Sequence, residues 1–258
     1  FLLSLVGSEM CIRDRHGIEA DLGPRAADTF RHDLHDDLRA DFVLANPPFN
    51  QCDWRDDDSG CWPHGLPPAS NANFAWLQKV LARLAPEGAA GVLLANGSLS
   101  ATKAGEGAIR RSIVEAGWVD CVVALPSRLF HATPIPASAW LLRRDRPDRT
   151  LFIDARDTGR MIDRAHRELT EADLERIAAR YRAFASGQDA AEAGFSAVAT
   201  LSEIEERRFL LSPGLYVGRA GSRTRAKDVG SLYREWEALA AESEDLSRAI
   251  RELDLGIS

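Results

Sequence analysis

Apolar residues come in short blocks divided by polar turns, and the spacing inside the blocks changes along the chain. In "DFVLANPPFN" a continuous apolar run, residues 42–45, stops at an asparagine and two prolines. A short unbroken run bounded by turn residues reads as a parallel strand buried on both faces. In "NANFAWLQKVLARL" the residues Phe74, Leu77, Leu81 and Leu84 fall on one helical face. Asn71 or Asn73 can cap that helix, and Pro86 and Gly88 are expected to close it. "AGVLLA" predicts a strand, "GEGAIRRSIVEAG" a helix ending at Gly117, and "WVDCVVAL", "SAWLLRR" and "TLFIDA" three more strands. Strands alternating with helices across short connections predict an α/β, doubly wound sheet. The close spacing of the later strands predicts an antiparallel far edge.

Beyond Asp154 the pattern changes. "TEADLERIAARYRAF" predicts a helix with Thr170 as N-cap and acidic residues in its first turn, while "LLSPGLYVG" reads as turn-rich. Leu232, Leu239, Leu246 and Leu253 recur every seven residues, with Trp236 and Ile250 on the alternate seam. That spacing fits a helix docking on a partner helix, or an amphipathic helix packed on its own domain. At the other end, "FLLSLVGSEMCIRDR" lacks the basic n-region, long apolar core and cleavage site of a signal peptide, and we read it as a non-native leader. The expected organisation is therefore a leader (1–15), a partial catalytic domain (16–155), an α-rich extension (156–228) and a terminal amphipathic helix (229–258).

Composition narrows the class. The chain has 258 residues, 45% hydrophobic and 28% charged, which suits one large globular domain with an appendage. It contains no apolar stretch of the roughly 18 residues that span a bilayer, so no membrane association is expected. Four scattered cysteines fit a reducing, cytoplasmic setting. A net charge of −7 is unfavourable for gripping nucleic acid unaided, so another subunit is expected to share that task. Arg143, Arg144, Arg146, Arg149, Arg156, Arg160, Arg164 and Arg167 are interleaved with aspartates and read as a salt-bridged surface. Asp56, Asp57, Asp58, Cys61 and His64 complete no tetrahedral set, and no metal is expected.

The tetrad Asn46-Pro47-Pro48-Phe49 carries the chemistry. An asparagine amide oxygen and the carbonyl of the next residue can both accept from one exocyclic NH2 group. Two acceptors aimed at the two N–H bonds favour a pyramidal nitrogen whose lone pair is free to attack. The prolines fix φ near −65° and offer no N–H to compete. Phe49 offers a face for a planar base, a stacking worth about 1–3 kcal/mol per base. In a duplex that base must first leave the stack. The tetrad alone points to an amino-group methyltransferase and leaves adenine, RNA guanine and protein glutamine open as acceptors.

Longer blocks narrow the choice. "GIEADLGPRAADTFRHDLHDDLRADFVLANPPFN", "PPASNANFAWLQKVLARLAPEGAAGVLLANGSLS", "GEGAIRRSIVEAGWVDCVVALPSRLF", "LFIDAR" and "LSPGLYVG" together resemble the methylation subunit of type I restriction-modification systems. The resemblance implies a Rossmann-like sheet and adenine-specific N6 methylation of DNA with S-adenosylmethionine as donor. It also implies assembly with a specificity subunit and a restriction subunit. On it, Asn46 and Pro47 hold the target amine, Pro48 stiffens the loop and Phe49 stacks on the base. Asp28 falls where the family has an acidic residue near the donor's adenine, although a turn cap reads the same residue equally well. Asn73, Phe74, Asn96 and Ser98 are pocket candidates, with capping or packing as the plain alternative; His131 is read as a loop residue. The glycine-rich turn and ribose-binding acid of the family should precede residue 16 and are not found there. We therefore expect an N-terminally truncated sheet that is inactive alone. A non-catalytic assembly module is the reading from a different class.

Overall fold

The computed structural model describes residues 25, 27–55, 60–130, 134–143 and 148–218. The chain divides into two units, Phe1–Gly218 and Arg219–Ser258. The heptad segment and residues 1–24 lie outside the described residues, as do Asp56–Asp58 and His131.

Six strands form one mixed sheet in the order β1-β2-β4-β3-β5-β8. β1 (Ala40–Ala45) runs parallel to β2 (Leu84–Ala95), joined by helix α1 (Asn73–Arg83). β4 (Ala137–Leu142) lies antiparallel between β2 and β3 (Val119–Ala124), with α2 (Glu106–Glu115) leading into β3. β5 (Arg149–Asp154) is parallel to β3. β8 (Ser196–Thr200), a strand the sequence pattern did not predict, closes the far edge antiparallel to β5, whereas the antiparallel member of the closely spaced strands, β4, lies inside the sheet and not at its edge. A small hairpin, β6 (Arg160–Met161) and β7 (Arg167–Glu168), precedes α3 (Glu171–Ala185). α4 (Leu201–Glu206) follows β8. The segment expected to be an α-rich extension thus also supplies a strand of the main sheet.

Local chemistry sets the ends of these elements. Thr170 accepts from the Asp173 amide while the Asp173 carboxylate takes the Thr170 N–H, and Thr200 and Glu203 repeat this capping box on α4. α2 ends in a Gly117 turn at φ +73°, a left-handed conformation that glycine adopts without a Cβ penalty. One expectation fails at α1. The helix stops at Arg83, and Pro86 and Gly88 lie inside β2 instead of ending the helix. The pairing of β1 with β2 shifts register between Ala40 and Phe42. A Cβ on Gly88 would sit 2.7 Å from the Ala40 carbonyl oxygen, so only glycine lets the two backbones approach at this irregularity.

The two faces of the sheet are covered unequally. Val43, Ala45, Val92, Leu94, Val122, Trp140 and Phe152 pack against Phe74, Leu77, Ile109 and Ile113 of α1 and α2. On the opposite face Cys121, Val123, Leu151 and Ile153 are covered by Phe184 and Ile177 of α3. That cover does not reach β1. Phe42 is 82% exposed and Leu44 90% exposed, against the expectation of a strand buried on both sides. Among the described residues β1 pairs only with β2, so one edge and one face of it are open.

Candidate active site

The carboxyl ends of parallel strands are where open α/β sheets bind ligands. Asn46 is the first residue beyond β1, and its side chain is exposed. Pro47 is buried and fixes the exit of the loop, Pro48 is exposed, and Phe49 is half-buried. Asn50 then turns the chain at φ +52°, a left-handed conformation in which asparagine is tolerated.

That turn is held from α1. Asn73, 1% exposed at the start of the helix, donates Nδ2 to Asn50 Oδ1 at 2.9 Å. Its Oδ1 accepts the Asn50 backbone N–H at 3.1 Å. Asn71 Oδ1 in turn accepts the Asn73 N–H at 3.0 Å in a turn just before the helix, whose N-cap is Ala72, so neither asparagine caps it as expected. Both ends of the Asn73 amide are thereby engaged. It sets the conformation of the tetrad loop.

The other pocket candidates separate in the same way. Phe74 is fully buried and meets Trp140 edge-on at 6.3 Å, so it belongs to the core. Ser98 is 1% exposed and its hydroxyl donates to the Ala95 carbonyl at 2.8 Å, closing the short 3-10 turn Asn96–Leu99. Arg110 braces this turn. Its buried guanidinium donates to the carbonyls of Phe209 at 2.7 Å, Ala101 at 2.6 Å and Ser98 at 3.4 Å. Burial lowers its pKa, and the nearby Glu106 carboxylate opposes that. Of the four, only Asn96 remains open to a ligand. Its N–H donates to Pro136 at 3.0 Å, while its enclosed Oδ1 takes no hydrogen bond from the described residues. Asn96 lines a cavity of about 230 Å³ with Leu99, Ala124, Arg156, Ser212 and Leu215.

Asp28 caps a turn. Its Oδ1 accepts the N–H groups of Phe30 at 2.8 Å and Arg31 at 3.3 Å. Phe30 packs between Trp54 at 4.7 Å and Trp76 at 4.5 Å. Trp76 Nε1 donates to Gln51 Oε1 at 3.1 Å, one residue past Asn50. This aromatic cluster ties the Asp28 turn to the chain that leaves the tetrad.

One residue escaped the sequence reading. Phe130, at the end of the loop after β3, meets Phe49 edge-on with ring centroids 5.5 Å apart. The signal was present in "LPSRLF", whose aromatic ends a loop at the same edge of the sheet. Elsewhere, Cys52 and Cys61 are free thiols. Among the described residues no helix is long and apolar enough to cross a membrane, and no group of three His, Cys, Asp or Glu is placed to hold a metal.

Residues 8–225 match the family model described as N-6 DNA Methylase. The chain belongs to this family. This family member is 41% identical over 253 residues to the type I restriction enzyme HindI methylase subunit of Haemophilus influenzae, covering 93% of the chain and 56% of that protein. It is 38% identical over 218 residues to the MjaIX methylase subunit of Methanocaldococcus jannaschii, covering 78% of the chain and 38% of that relative. Its fold matches the methyltransferase subunit of a type I restriction-modification system from Streptococcus thermophilus with a TM-score of 0.70 and 27% identity, over 81% of the chain and 45% of that structure. The EcoKI M protein shares the fold at a TM-score of 0.63 and 17% identity, over 92% of this chain and 57% of that one. The sheet is thus the Rossmann-like sheet of these methyltransferases. The chain spans about half the length of the curated relatives it matches.

Proposed function

We propose that this chain carries the target-base half of a DNA adenine N6-methyltransferase, the methylation subunit of a type I restriction-modification system. The observation that carries the reading is the tetrad at the end of β1, held through Asn50 by Asn73, with its own Phe49 ring met at right angles by Phe130. Asn46 Oδ1 and the Pro47 carbonyl accept the two N–H bonds of the flipped adenine amine and direct its lone pair outward. Phe49 supplies the stacking face and Phe130 closes the side of the base. S-adenosylmethionine supplies the methyl group. Asp28 fits one part of that donor: its carboxylate belongs to the turn tied to the tetrad's exit and can accept from an exocyclic amine. With a net charge of −7, much of the DNA grip and the reading of sequence fall to a specificity subunit, with a restriction subunit added for cleavage. The setting is cytoplasmic.

The test is labelled-methyl transfer to duplex DNA by the complete gene product assembled with its specificity subunit. Asn46→Ala is expected to lower the rate by at least about 100-fold, the scale of losing one donor or acceptor aimed at developing charge. Near-normal transfer by the alanine variant would remove Asn46 from its role. Transfer to RNA or to protein glutamine instead of DNA would move the assignment of substrate.

A further inference from the structure

The loop that carries Phe130 is hydrogen-bonded to the small hairpin of β6 and β7. Arg128, at φ +66° in that loop, accepts the Arg167 N–H at its carbonyl at 2.9 Å, and its Nη1 donates to the Arg164 carbonyl at 3.2 Å. The hairpin of β6 and β7 is therefore mounted two residues from the ring that meets Phe49. Its base requires Gly159, at φ +79°, because a Cβ there would lie 2.5 Å from the Glu168 carbonyl oxygen. Its tip is preformed. Ile162 N–H donates to the His166 carbonyl at 3.0 Å, and Asp163 Oδ1 accepts the N–H groups of Ala165 at 2.6 Å and His166 at 2.7 Å.

What the tip presents is unusual for an ordinary solvated turn. Ile162 is 54% exposed and Met161 41% exposed. Arg160 and Arg164 flank them. Arg160 pairs with Glu168, the Asp163 carboxylate between Ile162 and Arg164 is engaged by His166 Nδ1 at 2.7 Å, and the exposed Arg164 side chain has no carboxylate partner among the described residues. An apolar point between arginines complements one surface in particular, a polyanionic duplex with an opened stack. Proteins that distort DNA place Ile, Met, Leu or Phe wedges between base steps and arginines on the phosphates beside them.

We propose that this hairpin is a DNA-contacting element. Ile162 and Met161 fill the gap left by the flipped base, and Arg164 holds a flanking phosphate. The inference rests on the base-flipping reading above and adds to it the element that keeps the duplex open.

The experiment uses the complete gene product with its specificity subunit and fluorescein-labelled, mixed-sequence duplex fragments of unmodified genomic DNA. Arg164→Ala is expected to weaken binding and to reduce the slope of log affinity against log salt by about one, the mark of a lost phosphate contact. Ile162→Ser is expected to leave that slope unchanged and to lower methyl transfer at saturating DNA by roughly tenfold, through loss of the wedge. Both residues are exposed, so the thermal midpoints of the variants should match the wild type. If slope, affinity and turnover are all unchanged while the wild type methylates DNA, the hairpin proposal fails and the function stands. If the variants instead release the specificity subunit with DNA affinity intact, the hairpin is a protein-docking surface and the proposal also fails. Should the wild type transfer no methyl group, the functional reading falls, and the salt slope still reports whether the hairpin touches DNA.

Discussion

The two faces of β1 belong to the same six residues and meet opposite surroundings. Val43 and Ala45 pack into the core that α1 and α2 close, whereas Phe42 and Leu44 stand on a face that no described residue covers. Leu44 leans over Gly91 toward Leu141: a Cβ on Gly91 would lie 3.1 Å from Leu44 and 3.7 Å from Leu141. The contrast teaches that an uninterrupted apolar strand records a demand for burial on both sides. Whether the demand is met depends on which other elements reach it. α3 covers the second face over β3 and β5 and stops short of β1.

Substitutions on the two faces should therefore behave differently. Trp140→Ala removes a fully buried ring that Phe74 and the closed face surround, and is expected to cost about 3–5 kcal/mol in urea denaturation. Leu44→Ser should change stability by no more than about 0.5 kcal/mol in the same chain, because Leu44 loses almost no burial. Equal costs at the two sites would show that the open face is covered after all.

The tetrad loop hangs from the closed face, and its clamp gives an intermediate effect. Asn73→Ala leaves the Asn50 N–H and amide without their partner and is expected to cost about 1–3 kcal/mol. Turnover should fall with it while the affinity for DNA holds, since Asn73 acts through the loop and not on the substrate. Asn73→Asp, which keeps the acceptor for the Asn50 N–H, should recover part of the loss.

The smallest effect concerns pH. Burial lowers the pKa of His64 below its ordinary 6.5, against a smaller opposing effect from Ser112, whose hydroxyl lies 3.0 Å from Nδ1. A group with a depressed folded-state pKa contributes stability above its unfolded value and loses it as pH falls through the folded one. The loop around His64 is also held by Gln78, which accepts the His64 N–H and donates to the Gly65 carbonyl. The exchange protection of the His64 and Gly65 amides, taken relative to the intrinsic rate at each pH, should thus fall modestly as pH drops below about 6.5, and His64→Gln should flatten that dependence.

Much of the fold was legible because strands and helices are local statements. The runs at 42–45, 119–124 and 149–154 and the capping box at Thr170 needed no knowledge of their neighbours. Pro86 and Gly88 misled because helix-stopping residues are equally at home at an irregular strand edge, and only the register shift against Ala40 decides. Within the site, Asn46 through Phe49 were legible as a chemical signature. Phe74, Ser98 and Asn73 share a residue type or a position with pocket residues, and their hydrogen bonds and burial assign them to core, turn and clamp. Phe130 lies about 80 residues from Phe49 in the chain, beyond any local pattern.

The order of residues alone carries the alternation of elements, the tetrad and the placement of Asn46 just past a strand, because periodicity and proline act over a few residues. Tertiary structure alone decides which face of β1 is covered, that Asn73 grips Asn50, that Phe130 meets Phe49, and that the hairpin is bonded to the loop carrying Phe130. These depend on contacts between segments far apart in the chain, whose closeness is set by how helices and strands pack around one sheet.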